Sequence, residues 1–198
     1  MALREEILEE DRYRAQFYRL LGRLLVRAPD EDFLTQLRGL QGDETEIGLA
    51  LGALVAAAQS ATPESVAEEY HDLFIGIGRG ELIPFASYYL TGFLYEKPLA
   101  RLRQDMAQHG VERAQGVSEP EDHIASLCDM MAGFILGDFG TPMPLGEQSA
   151  FFDRHVRSWA VRFFEDLAAA KTAAFYKPVG ALGRAFMEIE ATAFQMAA

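Results

Sequence analysis

Apolar residues recur at three- and four-residue steps through most of the chain. Leu3, Ile7, Tyr13, Phe17, Leu20, Leu21, Leu24 and Leu25 form a stripe with charges between them. That spacing predicts an amphipathic helix, which Ala28-Pro29 should stop. A short second helix is expected from about Asp30 to Leu40, broken by Gln41-Gly42. Asp43-Glu-Thr-Glu46 has the pattern of a capping box. In it the Asp43 carboxylate would accept from the N3 amide while Glu46 reaches back. It would open an Ala/Leu-rich helix to Ser60. Thr62-Pro63 supplies an N-cap and a proline at the first helical position. The helix it opens should run through Glu68, Tyr70, His71, Leu73 and Phe74 to Gly76.

Further helices are predicted over Lys97–Gln108, and from Ser118-Glu-Pro-Glu121 onward. The latter stretch reads as a second capping box, followed by Asp122, His123, Leu127, Met130, Met131 and Phe134. Residues 110–117 read as a loop and residues 140–146 as a break, with two last helices over about 147–170 and 178–196. No segment shows the apolar/polar alternation of a half-buried strand. The expectation is an all-α, helical bundle-like domain over residues 1–198, with about eight to eleven helices and no sheet. Loops 76–87 and 140–146 would be its internal breaks.

With 198 residues, 49% of them hydrophobic, the chain can build one sizeable core. The single cysteine, Cys128, excludes a disulfide framework or a Cys-rich metal site and reads as a buried apolar residue. The N-terminal stretch lacks a basic region followed by an apolar run, so no secretory signal is expected. No segment is long and uncharged enough to predict a membrane span, and a cytoplasmic location is expected. The net charge of −12 comes without any basic stripe, which argues against nucleic acid as partner. Acidity either serves solubility alone or faces a basic partner.

Several short patterns compete for chemistry. Gly76-Ile-Gly78-Arg-Gly80 resembles a phosphate-binding loop. A dinucleotide fingerprint, however, needs a strand before its glycines and a helix starting at them, and a Walker loop needs Gly-Lys-Ser/Thr. Here a helix precedes and Ile83-Pro84 follows. Gly76, Gly78 and Gly80 are therefore read as shaping a tight loop, with Gly76 ending its helix in a left-handed conformation. Glu68-x-x-His71 has half the spacing pattern of a di-iron carboxylate site, but only one such motif occurs. A metal-dependent bundle enzyme using Glu68, His71 and His123 is kept as a minor alternative. Asp122 and His123 would sit in a first helical turn, where a carboxylate meets the helix dipole favourably. On spacing alone His123 reads either as a core residue or as a groove residue. No Gly-x-Ser-x-Gly nucleophile motif occurs. Phe85, Tyr88, Tyr89, Phe93 and Tyr95 crowd one short segment, a composition suited to peptide binding or to core packing.

Three groups of residues resemble the TorD/DmsD-like chaperones that mature molybdenum-containing redox enzymes. The first is Glu69-Tyr70-x-x-Leu73-Phe74-x-Gly76 with the glycine loop, Pro84 and Ser87-x-Tyr89. The second is Glu119-Pro-x-Asp122-His123 leading into Leu127 and Met130-Met131. The third is Phe152-x-x-His155-x-x-x-Trp159, then Phe163-Phe164, Phe175-Tyr176 and a final helix with Phe186 and Glu190. The resemblance spans residues 7–195.

It implies an all-helical, non-enzymatic chaperone. Such a protein holds the apo-molybdoenzyme, or its twin-arginine leader peptide, in the cytoplasm until the molybdopterin cofactor is inserted. It implies no resident cofactor, weak guanine-nucleotide binding at most, and a monomer or a domain-swapped dimer. It places a peptide groove at Tyr70, Leu73, Phe74, Pro84, Phe85, Ser87, Tyr89, Asp122 and His123. Some signal-binding members carry Trp where this chain has Tyr70 and Phe85, so the platform persists here without the indole donor. Twin-arginine leaders are basic and then apolar, which gives the acidity a partner, with Asp122 pairing an arginine guanidinium. The alternative within the family is a nitrate-reductase-type assembly chaperone that binds the catalytic subunit without an export signal.

Overall fold

The structure, a computed structural model, describes residues 7–113 and 119–197. Among these the chain forms helices α1 (Glu9–Val26), α2 (Glu31–Arg38), α3 (Glu46–Ser60) and α4 (Pro63–Tyr70), the last continuing into a π turn over His71–Ile75. Then come α5 (Ala86–Thr91), α6 (Lys97–Gln108), α7 (Ile124–Leu136), α8 (Leu145–His155), α9 (Ala160–Ala169) and α10 (Tyr176–Met196). The all-α expectation holds. The one β-type pairing among the described residues is an isolated antiparallel bridge between Phe85 and His123.

α7 is buried on almost every face, and its sequence is correspondingly apolar all round. α1 lies along it, and α10 packs on α9 and α3. Trp159, Tyr18, Tyr176, Phe152, Phe163 and Phe164 are the largest fully buried side chains. A charge cluster enters this core at the α1–α10 contact. Glu190 on α10 accepts from Arg14 Nε at 2.7 Å, Arg14 Nη2 at 2.9 Å and Tyr18 Oη at 3.0 Å. A carboxylate at 1% exposure is tolerable only with partners of this kind, so α1 and α10 are tied at a fixed register.

Local signals decided many helix ends. Asp30 accepts from Phe33 N, and Thr62 and Ser65 form the reciprocal box that opens α4 at Pro63. Other ends differ from expectation. α3 is capped by Thr45, not Asp43; the Asp43 carboxylate instead accepts from the Thr45 backbone and hydroxyl, setting up the true cap. α7 starts at Ile124 with His123 as N-cap, so Glu121 is not a capping glutamate; it pairs with Arg103 at 2.8 Å. Ser118 of the expected box lies outside the described residues. The helix expected over 147–170 is two helices: at the end of α8, Phe152 O accepts from both Val156 N and Arg157 N, and Trp159 has left helical geometry. The last helix begins at Tyr176, before Pro178, which a first turn tolerates. α5 lies within the stretch read only as an aromatic segment.

Candidate functional site

The glycine loop grows out of the π turn. Gly76 N donates to His71 O at 2.7 Å, and Gly76 itself has φ 60° and ψ 175°. That is positive φ but not the left-handed helical cap expected; it is a region essentially reserved for glycine. A Cβ there would clash with the Arg79 carbonyl, and one on Gly80 would clash with Leu73 O. Gly78 has φ 85° with open space around it. The chain then returns along the π turn through Glu81 N to Asp72 O (3.1 Å) and Leu82 N to Leu73 O (2.8 Å).

Two carboxylates fasten this corner to the α9–α10 connection: Glu81, which sequence reasoning did not single out, and Glu69, which it noted only as part of a motif. Glu81 accepts from Lys171 N, Thr172 N and the Thr172 hydroxyl. Those donors hold its carboxyl below the usual range. Glu69 accepts from Ala174 N, Phe175 N and Tyr176 N at 2.8–3.0 Å, covering the free amides where α10 begins. The motif containing Glu69 was a visible signal; its targets, about a hundred positions away, were not.

The predicted groove residues fall into two adjoining groups. In the first, Tyr70 and Phe74 are half-buried and pack on each other at 5.0 Å and on Tyr176 at 6.0 and 5.6 Å. The Tyr70 hydroxyl donates to Leu25 O, and burial pushes its pKa up to about 12, with Glu119 adding to the rise. Leu73 has no accessible surface and belongs to the core.

In the second group, residues 84–87 run against 121–124. Ala86 N donates to Asp122 O at 3.0 Å and Ile124 N to Pro84 O at 2.9 Å. Asp122 is 1% exposed and precedes the helix instead of lying in its first turn. Its Oδ2 accepts from Ser87 N at 2.8 Å and from the Ser87 hydroxyl at 2.5 Å. Its Oδ1 is buried without a hydrogen-bond partner. His123 Nδ1 accepts from Ala125 N at 3.1 Å, which places the proton of the neutral ring on Nε2. Burial lowers its pKa to about 4, against a raising effect of Glu119. The ring stands edge-on to half-buried Phe85 at 4.9 Å. Tyr89 packs on Trp159 and donates to Asp166 at 2.9 Å; burial and Asp166 together raise its pKa.

Asp122 lines a small cavity of about 40 Å³ under α5, shared with Ala86, Leu90, Pro98, Arg101 and His155. Room for about one water exists there, not for a side chain, so a ligand reaching Asp122 must displace α5 or its flanks. His155 beyond it is committed to Asp105 at 2.7 Å, and its carbonyl accepts from the Trp159 indole. Glu68, His71 and His123 are not brought together: His71 is exposed beside Asp72, whereas His123 is buried. Among the described residues no group of three His, Cys, Asp or Glu side chains could hold a metal ion. No helix among them is long and apolar enough to cross a membrane.

A family model described as nitrate reductase delta subunit matches residues 40–165. Among curated proteins, chaperone protein TorD of Vibrio cholerae is 29% identical over 177 residues, covering 83% of this chain and 80% of the relative. The TorD chaperone of Ferrimonas balearica is 27% identical over 208 residues, covering 96% and 93%. Among solved structures, one described as a redox enzyme maturation protein from Archaeoglobus fulgidus superposes with TM-score 0.60 at 22% identity, over 93% of this chain and 99% of that one. That last likeness concerns the fold.

Proposed function

The chain belongs to the nitrate reductase delta subunit family, and on that premise we propose that it is a cytoplasmic maturation chaperone for a molybdenum-containing oxidoreductase. In this reading it is not an enzyme and needs no resident cofactor. It binds the basic, then apolar leader peptide of the apo-enzyme and holds the client until its cofactor is in place. Relatives named as TorD chaperones support the chaperone role.

One observation carries the peptide assignment: Asp122 is buried beside Phe85 and His123 with Oδ2 saturated by Ser87 and Oδ1 empty. A buried carboxylate oxygen without a donor is costly, and a guanidinium or peptide N–H would satisfy it. Half-buried Tyr70, Phe74, Phe85 and Tyr89 offer an aromatic platform on both sides of the glycine corner. Neutral His123 adds an Nε2–H donor. The acidic surface, net −12, favours encounter with a basic leader.

A second reading is favoured by the family description itself: an assembly chaperone of the nitrate-reductase type, gripping the catalytic subunit and ignoring leaders. Calorimetric titration with a twin-arginine leader peptide and, separately, with a leaderless apo-catalytic subunit separates the two. Leader binding that weakens when its arginines become glutamine supports the first reading; subunit binding alone supports the second. Binding of neither probe would sink both.

A further inference from the structure

The segment from Leu82 to Gln104 departs from the rest of this acidic chain. It contains one acid, Glu96, and three bases, Lys97, Arg101 and Arg103, a balance of +2 in a protein of −12. Arg103 is used by Glu121, whereas Lys97 and Arg101 have no ion-pair partner among the described residues. They lie one turn apart on the exposed face of α6. Arg101 shares a cavity wall with Leu90 at the end of α5.

Between α5 and α6 the chain holds large apolar side chains out to solvent: Phe93 is 69% exposed and Tyr95 71%. The turn is built, not frayed. Thr91 Oγ1 donates to Ser87 O at 2.8 Å and accepts from Phe93 N at 3.2 Å, and Gly92 closes α5 with φ 83°. Tyr95 is the one non-glycine residue with positive φ among the described residues, at 61°. Backbone strain spent on displaying an aromatic ring asks for a partner. On the other side of α5, Arg79 donates to the Tyr88 hydroxyl at 2.6 Å, bringing the tip of the glycine loop alongside, where Ile77 is fully exposed.

We propose that the α5–α6 turn, with Phe93 and Tyr95 as anchors and Lys97 and Arg101 as flanking cations, docks the folded body of the client oxidoreductase on an acidic, partly apolar patch of its surface. The inference rests on the chaperone reading but concerns a surface that adjoins the Asp122 pocket: Arg101 borders both, whereas Phe93 and Tyr95 do not line the pocket. The chemistry is opposite to that of the leader: the leader is basic and suits the acidic bulk, whereas this face is locally cationic. Exposed aromatic rings beside arginine are the composition of protein–protein hot spots. α5 joins the two surfaces, because Ser87 at its start is held by Asp122 and Leu90 at its end borders the turn.

The test uses the full chain, a leaderless apo-catalytic subunit from the same organism and a synthetic leader peptide. Phe93→Ser with Tyr95→Ser should weaken subunit binding by about tenfold or more while leader affinity stays within about twofold, because the altered residues are exposed. Lys97→Glu with Arg101→Glu should slow subunit association and flatten its salt dependence. Wild type that binds both probes, with both variants matching it, overturns this surface alone. Wild type that binds neither overturns the chaperone reading and the surface with it. Wild-type flotation on phosphatidylglycerol but not phosphatidylcholine vesicles, lost in the serine variant while subunit affinity is unchanged, assigns the turn to a membrane and also overturns the proposal.

Discussion

Ser87 and Asp122 are joined by two hydrogen bonds to a single carboxylate oxygen, one from the Ser87 amide at 2.8 Å and one from its hydroxyl at 2.5 Å. The pair locks α5 to the start of α7 and leaves the second oxygen of Asp122 buried and unpartnered. Because Asp122 carries this fold contact, its proposed role in leader binding cannot be tested by deletion.

Asp122→Ala should therefore destabilise the protein by about 2 kcal/mol, since it strands the buried Ser87 amide. Thermal unfolding would record a drop of about 4–8 °C. Asp122→Asn keeps an acceptor for Ser87 and removes the charge. Its Tm should stay close to wild type while affinity for an arginine-bearing leader falls by about tenfold or more. An asparagine variant that binds the leader like wild type removes Asp122 from the site.

His123 makes stability depend on pH. Its folded pKa near 4 lies below its ordinary value of 6.5, so between these pH values the unfolded chain holds the extra proton. Stability should be unaffected by this group above pH 6.5 and fall as the pH drops toward 4, by about 3 kcal/mol in all. Urea unfolding from pH 7.5 to 4.5 measures the slope. His123→Asn retains an N-cap acceptor for Ala125 N and should flatten that part of the curve.

Gly76→Ala should cost about 1–3 kcal/mol from backbone strain alone, and more from the clash with the Arg79 carbonyl. The midpoint of urea unfolding should shift accordingly. Gly78→Ala meets open space and should cost less, through its positive φ. Equal costs at the two positions would contradict the loop geometry.

Glu69→Gln should loosen the start of α10. The amides of Ala174, Phe175 and Tyr176 lose a charged acceptor, and their hydrogen exchange should accelerate about tenfold or more relative to amides in α7. Unchanged exchange at these three amides would show that water replaces the carboxylate without loss.

Sequence periodicity was enough to determine the helical class, the span of α6, and the ends marked by unambiguous local chemistry, such as Asp30 and Thr62-Pro63. These features are legible because a helix repeats over a few residues and a cap acts within one turn. That residues 70–89 and 122–123 belong to one region was implied by the family resemblance and not by periodicity. Tertiary structure decided the rest. α5 has six residues, too few to stand alone, and forms where Tyr89 packs on Trp159 and Asp122 takes Ser87. His123 became the cap of α7 because residues 84–86 pair with its neighbours, not because local sequence favours it. Whether Leu73 lines a groove or fills the core, and whether Asp122 faces solvent or Ser87, depends on contacts between positions far apart in the chain. Burial is a property of what packs on a residue, and sequence spacing does not contain it.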